Sequence, residues 1–102
     1  KYVKFINPKY AITKIRKFIE KIEYNPKNEE YVLDLMIHME CMLDRCLSKI
    51  DKRCIDLELY KEKEKLLIDK IIIALKDIEQ DYNIKISDDE VAYIVKIITT
   101  KK

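Results

Sequence analysis

The chain has no glycine in 102 residues and only two prolines, Pro8 and Pro26. Tight turns between β-strands depend on backbone angles that glycine adopts at the lowest cost, so a β-rich fold is difficult to build without it. Hydrophobic residues make up 48% of the chain, which is enough for one buried core at this length. The sequence therefore favours a single all-helical domain.

Helix signals recur along the chain. Asn7-Pro8 is a capping residue followed by proline at the first helical position, and the first helix should stop near Tyr24 because Pro26 follows. Asn28 is the expected cap of the second helix, which has no strong breaker before Asp51-Lys52-Arg53. Residues 8 to about 50 are therefore predicted to form two helices, and the sequence does not fix where the second one ends.

The second half of the chain predicts two or three more helices. Residues 56–82 form either one helix or two helices broken near the mixed-charge run Lys61–Lys65, which is expected to be solvated. Ser87 and Glu90 have the spacing of a capping box, which starts a last helix. Apolar residues at three- and four-residue spacing give each helix one core face. For the second helix this face is predicted to contain Val32, Leu35, Met36, Met39, Leu43, Cys46, Leu47 and Ile50. The fold class predicted is a compact all-α bundle of four to five helices.

His38 is the only histidine in the chain. At about 100° per residue, His38 and Arg45 lie within roughly 20° of each other and well over 100° from the centre of the core face. In the last helix, Glu90, Tyr93 and Ile97 share a stripe turned away from the core side. If the bundle brings these two stripes together, His38 becomes part of a site.

A histidine can carry a phosphoryl group, act as acid or base, or bind a metal ion. Cys41 lies one turn from His38, but Cys46 and Cys54 follow no recognised zinc-ligand spacing, and no glycine-supported loop is available to stabilise an oxyanion. A metal centre and a Cys–His catalytic pair are therefore the weaker alternatives, and no cofactor is expected. The plainest alternative is that His38 is a surface residue without a special role.

Charge and cysteine usage restrict the setting. The 21 basic and 19 acidic residues nearly balance, which gives no support for a nucleic-acid or lipid-headgroup surface. Three cysteines without a CxxC pair favour a reducing cytoplasm, and the longest apolar run, Ile71–Leu75, is too short to cross a bilayer. The chain opens on Lys1, so residues 1–102 are expected to be one domain cut from a larger protein.

Two segments resemble the signatures of one family, the PTS regulation domain of bacterial transcription regulators. HMECMLDR, His38 to Arg45, is similar to its first signature, a helix that carries a histidine and an arginine seven residues later. The tail from Glu90, EVAYI, is similar to its second signature, which continues to a second histidine. That histidine would fall at Ile97, so this chain departs from the pattern there. The resemblance covers roughly residues 8–98.

The resemblance implies a function. It makes the chain a helical regulatory domain, not an enzyme, that forms homodimers and responds to phosphorylation of His38, with Arg45 supporting the phosphoryl group. The phosphoryl donors would be the histidine phosphocarrier protein or a sugar-specific enzyme II component. The parent would be an antiterminator or an activator of the sigma-54 type that contacts nucleic acid through other domains. Because Glu90, Tyr93 and Ile97 form a degenerate second site, the alternative is a module, related or unrelated, that acts only as a dimerisation scaffold.

Overall fold

The computed structural model describes residues 8–24 and 29–100, and these residues form five α-helices. They are α1 (Pro8–Lys21), α2 (Glu29–Ser48), α3 (Leu57–Lys63), α4 (Lys65–Tyr82) and α5 (Asp88–Thr100). The predicted all-α bundle is confirmed. The expected caps Asn7 and Asn28, and the stop signal at Pro26, lie outside the described residues.

The helices pack around one core in which α5 has a central place. Helix α1 packs against α2 and α4, while α5 packs against α2, α3 and α4. The largest fully buried side chains come from all four long helices: Ile15, Phe18, Leu35, Met39, Met42, Leu43, Ile71, Leu75, Ile78 and Val95. Each such side chain stabilises the fold by roughly 1.5–3 kcal/mol relative to an exposed one. The apolar periodicity of the sequence is therefore the main reason for this fold.

The core face predicted for α2 is correct except at its far end. Leu35, Met36, Met39 and Leu43 are buried, and Val32, Cys46 and Leu47 are half-buried against the core. The prediction for Ile50 is wrong, since this side chain is 59% exposed. The reason is that α2 ends at Ser48, so the helical period does not extend to Ile50.

Three helices end in the same way although the chain has no glycine. The residue after each helix-ending turn has a left-handed backbone, and the next N–H donates to the carbonyl five residues earlier. The left-handed residues are Glu23 after α1, Lys49 after α2 and Asn83 after α4, with φ angles of 57°, 58° and 53°. These helices therefore end at residues other than glycine, the residue that usually marks such an end in a sequence.

The question left open for residues 56–82 is answered by a break at Glu64. This residue has φ −120° and ψ 36°, outside the helical region, and it separates α3 from α4 within the run Lys61–Lys65. The lysines of the run are exposed, as expected for a solvated connection. The predicted cap of α5 is also present, because the Glu90 N–H donates to Ser87 Oγ at 3.3 Å.

Candidate functional site

His38 lies on the exposed side of α2, outside the core. Leu35 and Met39, which lie roughly 60° and 100° away from it around the helix, are completely buried. This placement confirms the orientation worked out from the helical period. The histidine ring is therefore open to solvent and to a partner protein.

The stripes of α2 and α5 meet in one cavity of about 80 Å³. Helix α2 packs directly against α5, so residues separated by about fifty positions become neighbours. The five residues singled out by sequence all line this cavity: His38, Arg45, Glu90, Tyr93 and Ile97. The condition on which the site depended, that the bundle joins the two stripes, is met.

Arg45 and Glu90 form the ion pair that joins the two helices at this cavity. Arg45 Nε donates to Glu90 Oε2 at 2.9 Å, and Arg45 Nη2 donates to Glu90 Oε1 at 2.7 Å, so both carboxylate oxygens are engaged. The Glu90 side chain is only 4% exposed, whereas that of Arg45 is 26% exposed. Removing one partner of such a buried pair costs about 3–5 kcal/mol, because the other charge stays buried alone.

The prediction that Glu90 is turned away from the interior is therefore wrong. Its backbone N–H belongs to the cap of α5, but its side chain does not return to the cap and instead meets Arg45. A helical wheel gives the direction of a side chain on its own helix and not the neighbour that it meets there. A buried carboxylate is stable only when it is paired, and here the guanidinium of Arg45 is its partner.

The pair also fixes the charge of Arg45. Hydrogen bonds to Glu90, and then the charge of that carboxylate, raise the pKa of Arg45 against the opposing effect of burial. The guanidinium is thus a permanent cation, and two of its five N–H donors bind Glu90. Its expected role in supporting a phosphoryl group stays a prediction.

Tyr93 and Ile97 lie on α5 beside this ion pair and are both half-buried. Ile97, where the resemblance predicted a second histidine in the family pattern, packs against the core and forms part of the cavity wall. It is therefore less available as an outward-facing surface than its off-core stripe suggested. The wall that it contributes is apolar and cannot accept a phosphoryl group.

Three residues of the cavity were not singled out by sequence: Met42, Lys52 and Ile94. Met42 and Ile94 are 2% and 3% exposed and form apolar wall. Lys52 follows α2 in an irregular segment, and its Nζ lies 4.8 Å from the centroid of the Tyr93 ring, a cation–π distance. No periodicity applies to such a segment, so the sequence held no signal for this contact.

The cysteines and acidic side chains that the structure describes form no metal site. The cysteines Cys41, Cys46 and Cys54 are free thiols, and burial, followed by the charge of Glu90, raises the pKa of Cys46 to about 11. Within residues 8–24 and 29–100, no three histidine, cysteine or acidic side chains are placed to hold a metal ion. In the same ranges, no helix has the length and apolar character needed to cross a bilayer.

A larger cavity of about 330 Å³ also has Glu90 in its wall. The rest of its lining comes from the end of α2 and from the link between α4 and α5, and includes Lys49, Asp51 and Lys85. It contains no histidine, and its only cysteine is the half-buried Cys46. Size alone therefore does not select the candidate site, because His38 lines the smaller cavity.

The family model described as the PRD domain matches residues 9–101, which is nearly the whole chain. No curated protein and no solved structure matches the chain significantly.

Proposed function

The chain belongs to the PRD domain family, the PTS regulation domains, which are regulatory and not catalytic, and from this premise we propose that it is a phosphorylation-responsive dimerisation domain. Its parent is a transcription regulator of a sugar operon, controlled by the sugar phosphotransferase system through His38. The observation that carries the proposal is the position of the only histidine, exposed on α2 and lining a cavity that also holds two cationic side chains.

His38 acts in this proposal as the acceptor of a phosphoryl group. The lone pair of a ring nitrogen attacks phosphorus on the phosphohistidine of the donor, so one N–P bond forms on His38 while the other breaks on the donor. The proton released by the His38 ring returns to the donor ring, and no net oxidation occurs. The product carries roughly −1.5 to −2 charges where a neutral or singly charged ring stood. Exposure supports this role, since the donor histidine must reach the ring in line.

Transfer of labelled phosphate tests the acceptor. The domain is incubated with phosphoenolpyruvate, enzyme I and the phosphocarrier protein, with and without the matching enzyme II component. We expect an acid-labile label on the wild-type protein and none on His38→Ala, whose exposed site should leave the helical content unchanged. Absence of label with every donor would contradict the phosphotransfer part of the proposal.

The dimer part of the proposal is supported by the apolar surface next to the histidine. Leu33 and Ile37 on α2 are 53% and 58% exposed, and Ile37 directly precedes His38. Burying exposed apolar groups against a symmetric copy stabilises a homodimer. A dianion on His38 would then be formed at the edge of the paired surface, where it changes the free energy of pairing.

Sedimentation at micromolar concentration tests this surface. We expect a dimer for the wild-type protein and a monomer for Ile37→Glu. The matched control is Ile73→Glu, because Ile73 on α4 is also exposed (67%) and lies on a helix that does not carry His38. Equal effects of both variants, or a wild-type monomer, would contradict this choice of surface.

One specific observation favours a second candidate function. Ile97 stands where the family has its second histidine, and it forms apolar wall beside the core. In the scaffold alternative the domain pairs constitutively and His38 is never phosphorylated. A dimer that forms without any transfer of label supports this alternative.

The partners in this proposal follow from the role. The donors are the histidine phosphocarrier protein and a sugar-specific enzyme II component, in the cytoplasm. Nucleic acid is contacted through other domains of the parent, in keeping with the nearly balanced charge of this chain. Purification of the parent protein with its RNA or DNA target tests this division of labour.

A further inference from the structure

Two cations line the cavity of His38, and they differ in their partners. Arg45 is held by both oxygens of Glu90, a carboxylate that is almost completely buried. These two bonds use two of its five N–H donors, and an anion that drew the guanidinium away would leave a carboxylate that is only 4% exposed without its counter-charge. Arg45 is therefore committed to Glu90.

Lys52 is in the opposite situation. It forms no ion pair with any carboxylate of the residues that the structure describes, and its contact there is with the face of the Tyr93 ring at 4.8 Å. The side chain is exposed, and an ammonium group has three donors on a flexible stem. A cation held by an aromatic face alone is available to an anion that forms nearby.

The size and charge of the cavity fit a phosphoryl group. A volume of about 80 Å³ is several times the roughly 10–15 Å³ that one water molecule requires, so three phosphoryl oxygens have room. Arg45, Glu90 and Lys52 together give this cavity a net charge of +1. Since Arg45 and Glu90 neutralise each other, Lys52 carries the charge that is left to meet a dianion.

We propose that Lys52 binds the phosphoryl group carried by His38, and that Tyr93 keeps the ammonium within reach of it. The ion pair of Arg45 with Glu90 stays closed and forms the floor of the site. This inference rests on the proposed function, because it requires that His38 accepts a phosphoryl group. It assigns the binding of that group to a residue outside both family signatures.

The test uses a chemical donor, so that no donor protein has to recognise the variants. Phosphoramidate transfers its phosphoryl group to the His38 ring: an N–P bond forms on the ring, the P–N bond of phosphoramidate breaks, and ammonium leaves with the ring proton. The pKa at which the bound phosphoryl group loses its last proton is then followed by phosphorus NMR on the whole chain. A nearby cation lowers this pKa because it favours the dianion.

We expect Lys52→Gln to raise the phosphoryl pKa by about half a unit or more, a threefold change in the proton affinity, and Lys52→Arg to leave it near the wild-type value. The matched control is Lys96→Gln. The Lys96 Nζ lies 5.9 Å from the centroid of the same ring, but Lys96 does not line the cavity, so this variant should not move the pKa.

The outcomes separate the two proposals. Absence of a phosphorus signal on the wild-type protein overturns the proposed function and this inference with it. A signal that His38→Ala removes but that Lys52→Gln leaves at the same pKa overturns this inference alone. An equal effect of Lys96→Gln also overturns it, because general surface charge then accounts for the shift.

Discussion

A single substitution in the ion pair between Arg45 and Glu90 should lower the free energy of unfolding by removing one charge interaction. Arg45→Met removes the guanidinium and keeps much of the apolar stem, so the change isolates the charge. Glu90 is then left with a side chain that is 4% exposed and without its cation. Breaking a buried pair in this way costs about 3–5 kcal/mol, and the partial exposure of Arg45 places the expected loss near the lower end.

The loss can be measured by urea unfolding followed by circular dichroism. A domain of this size unfolds with a free energy of roughly 5–15 kcal/mol, and each kcal/mol changes Tm by about 4–8 °C. A loss of about 3 kcal/mol should therefore lower Tm by roughly 12 °C or more.

The double variant decides whether the pair itself is responsible. Arg45→Met combined with Glu90→Leu leaves no buried charge, and replacement of a whole ion pair by apolar residues is often neutral. We expect it to recover most of the stability that Arg45→Met loses. If the losses of the two single variants simply add in the double variant, the two residues are not coupled and the reasoning is refuted.

Three further predictions concern residues away from the cavity. Lys49→Gly should raise the free energy of unfolding by about 1 kcal/mol in urea titrations. A left-handed backbone costs a residue with a Cβ roughly 1–2 kcal/mol, and glycine avoids this cost but loses more backbone entropy on folding, which offsets part of the gain. Iodoacetamide at pH 8 should label the exposed Cys41 well before Cys46, since a thiol with a pKa of about 11 is ionised in about one molecule in a thousand at that pH, and mass spectrometry reports the order. Hydrogen bonds from Lys14 and then Tyr10 lower the pKa of Asp81 below its ordinary 3.8. The stability that Asp81 contributes is therefore present above pH 3.8 and is lost as the pH falls through the lower pKa of the folded state. In thermal unfolding between pH 5 and 2, Lys14→Met should lose less stability on acidification than the wild-type protein.

The helices could be predicted because each one carries its own signal. The apolar spacing of α1, α4 and α5 gives one face to the core, and the same rule placed His38 outside the core face of α2. These are properties of one helix at a time. They do not depend on which helices become neighbours.

What could not be predicted depends on neighbours or on irregular backbone. The partner of Glu90 is set by the packing of α2 against α5, and no spacing along the chain encodes that contact. Lys52 contacts Tyr93 from a segment without regular structure, where neither the helical nor the strand period predicts the direction of a side chain. The end of α2 at a left-handed Lys49 was also hidden, because the usual signal for such an end is glycine.

In the proposed function, the isoleucine at position 97 and the arrangement of charges in the cavity are connected. Ile97 lines the same cavity as His38, so a histidine there would place two acceptors in about 80 Å³. Two phosphoryl groups would bring roughly −3 to −4 charges into a cavity whose fixed groups sum to +1, a repulsion that grows as water is excluded. With isoleucine at that position, the proposed site holds one phosphoryl group and one available ammonium, beside an apolar wall. In the proposed function, isoleucine at position 97 therefore leaves the cavity with two charged states, with and without a phosphoryl group on His38, and the proposed contact of Lys52 sets how far these two states differ.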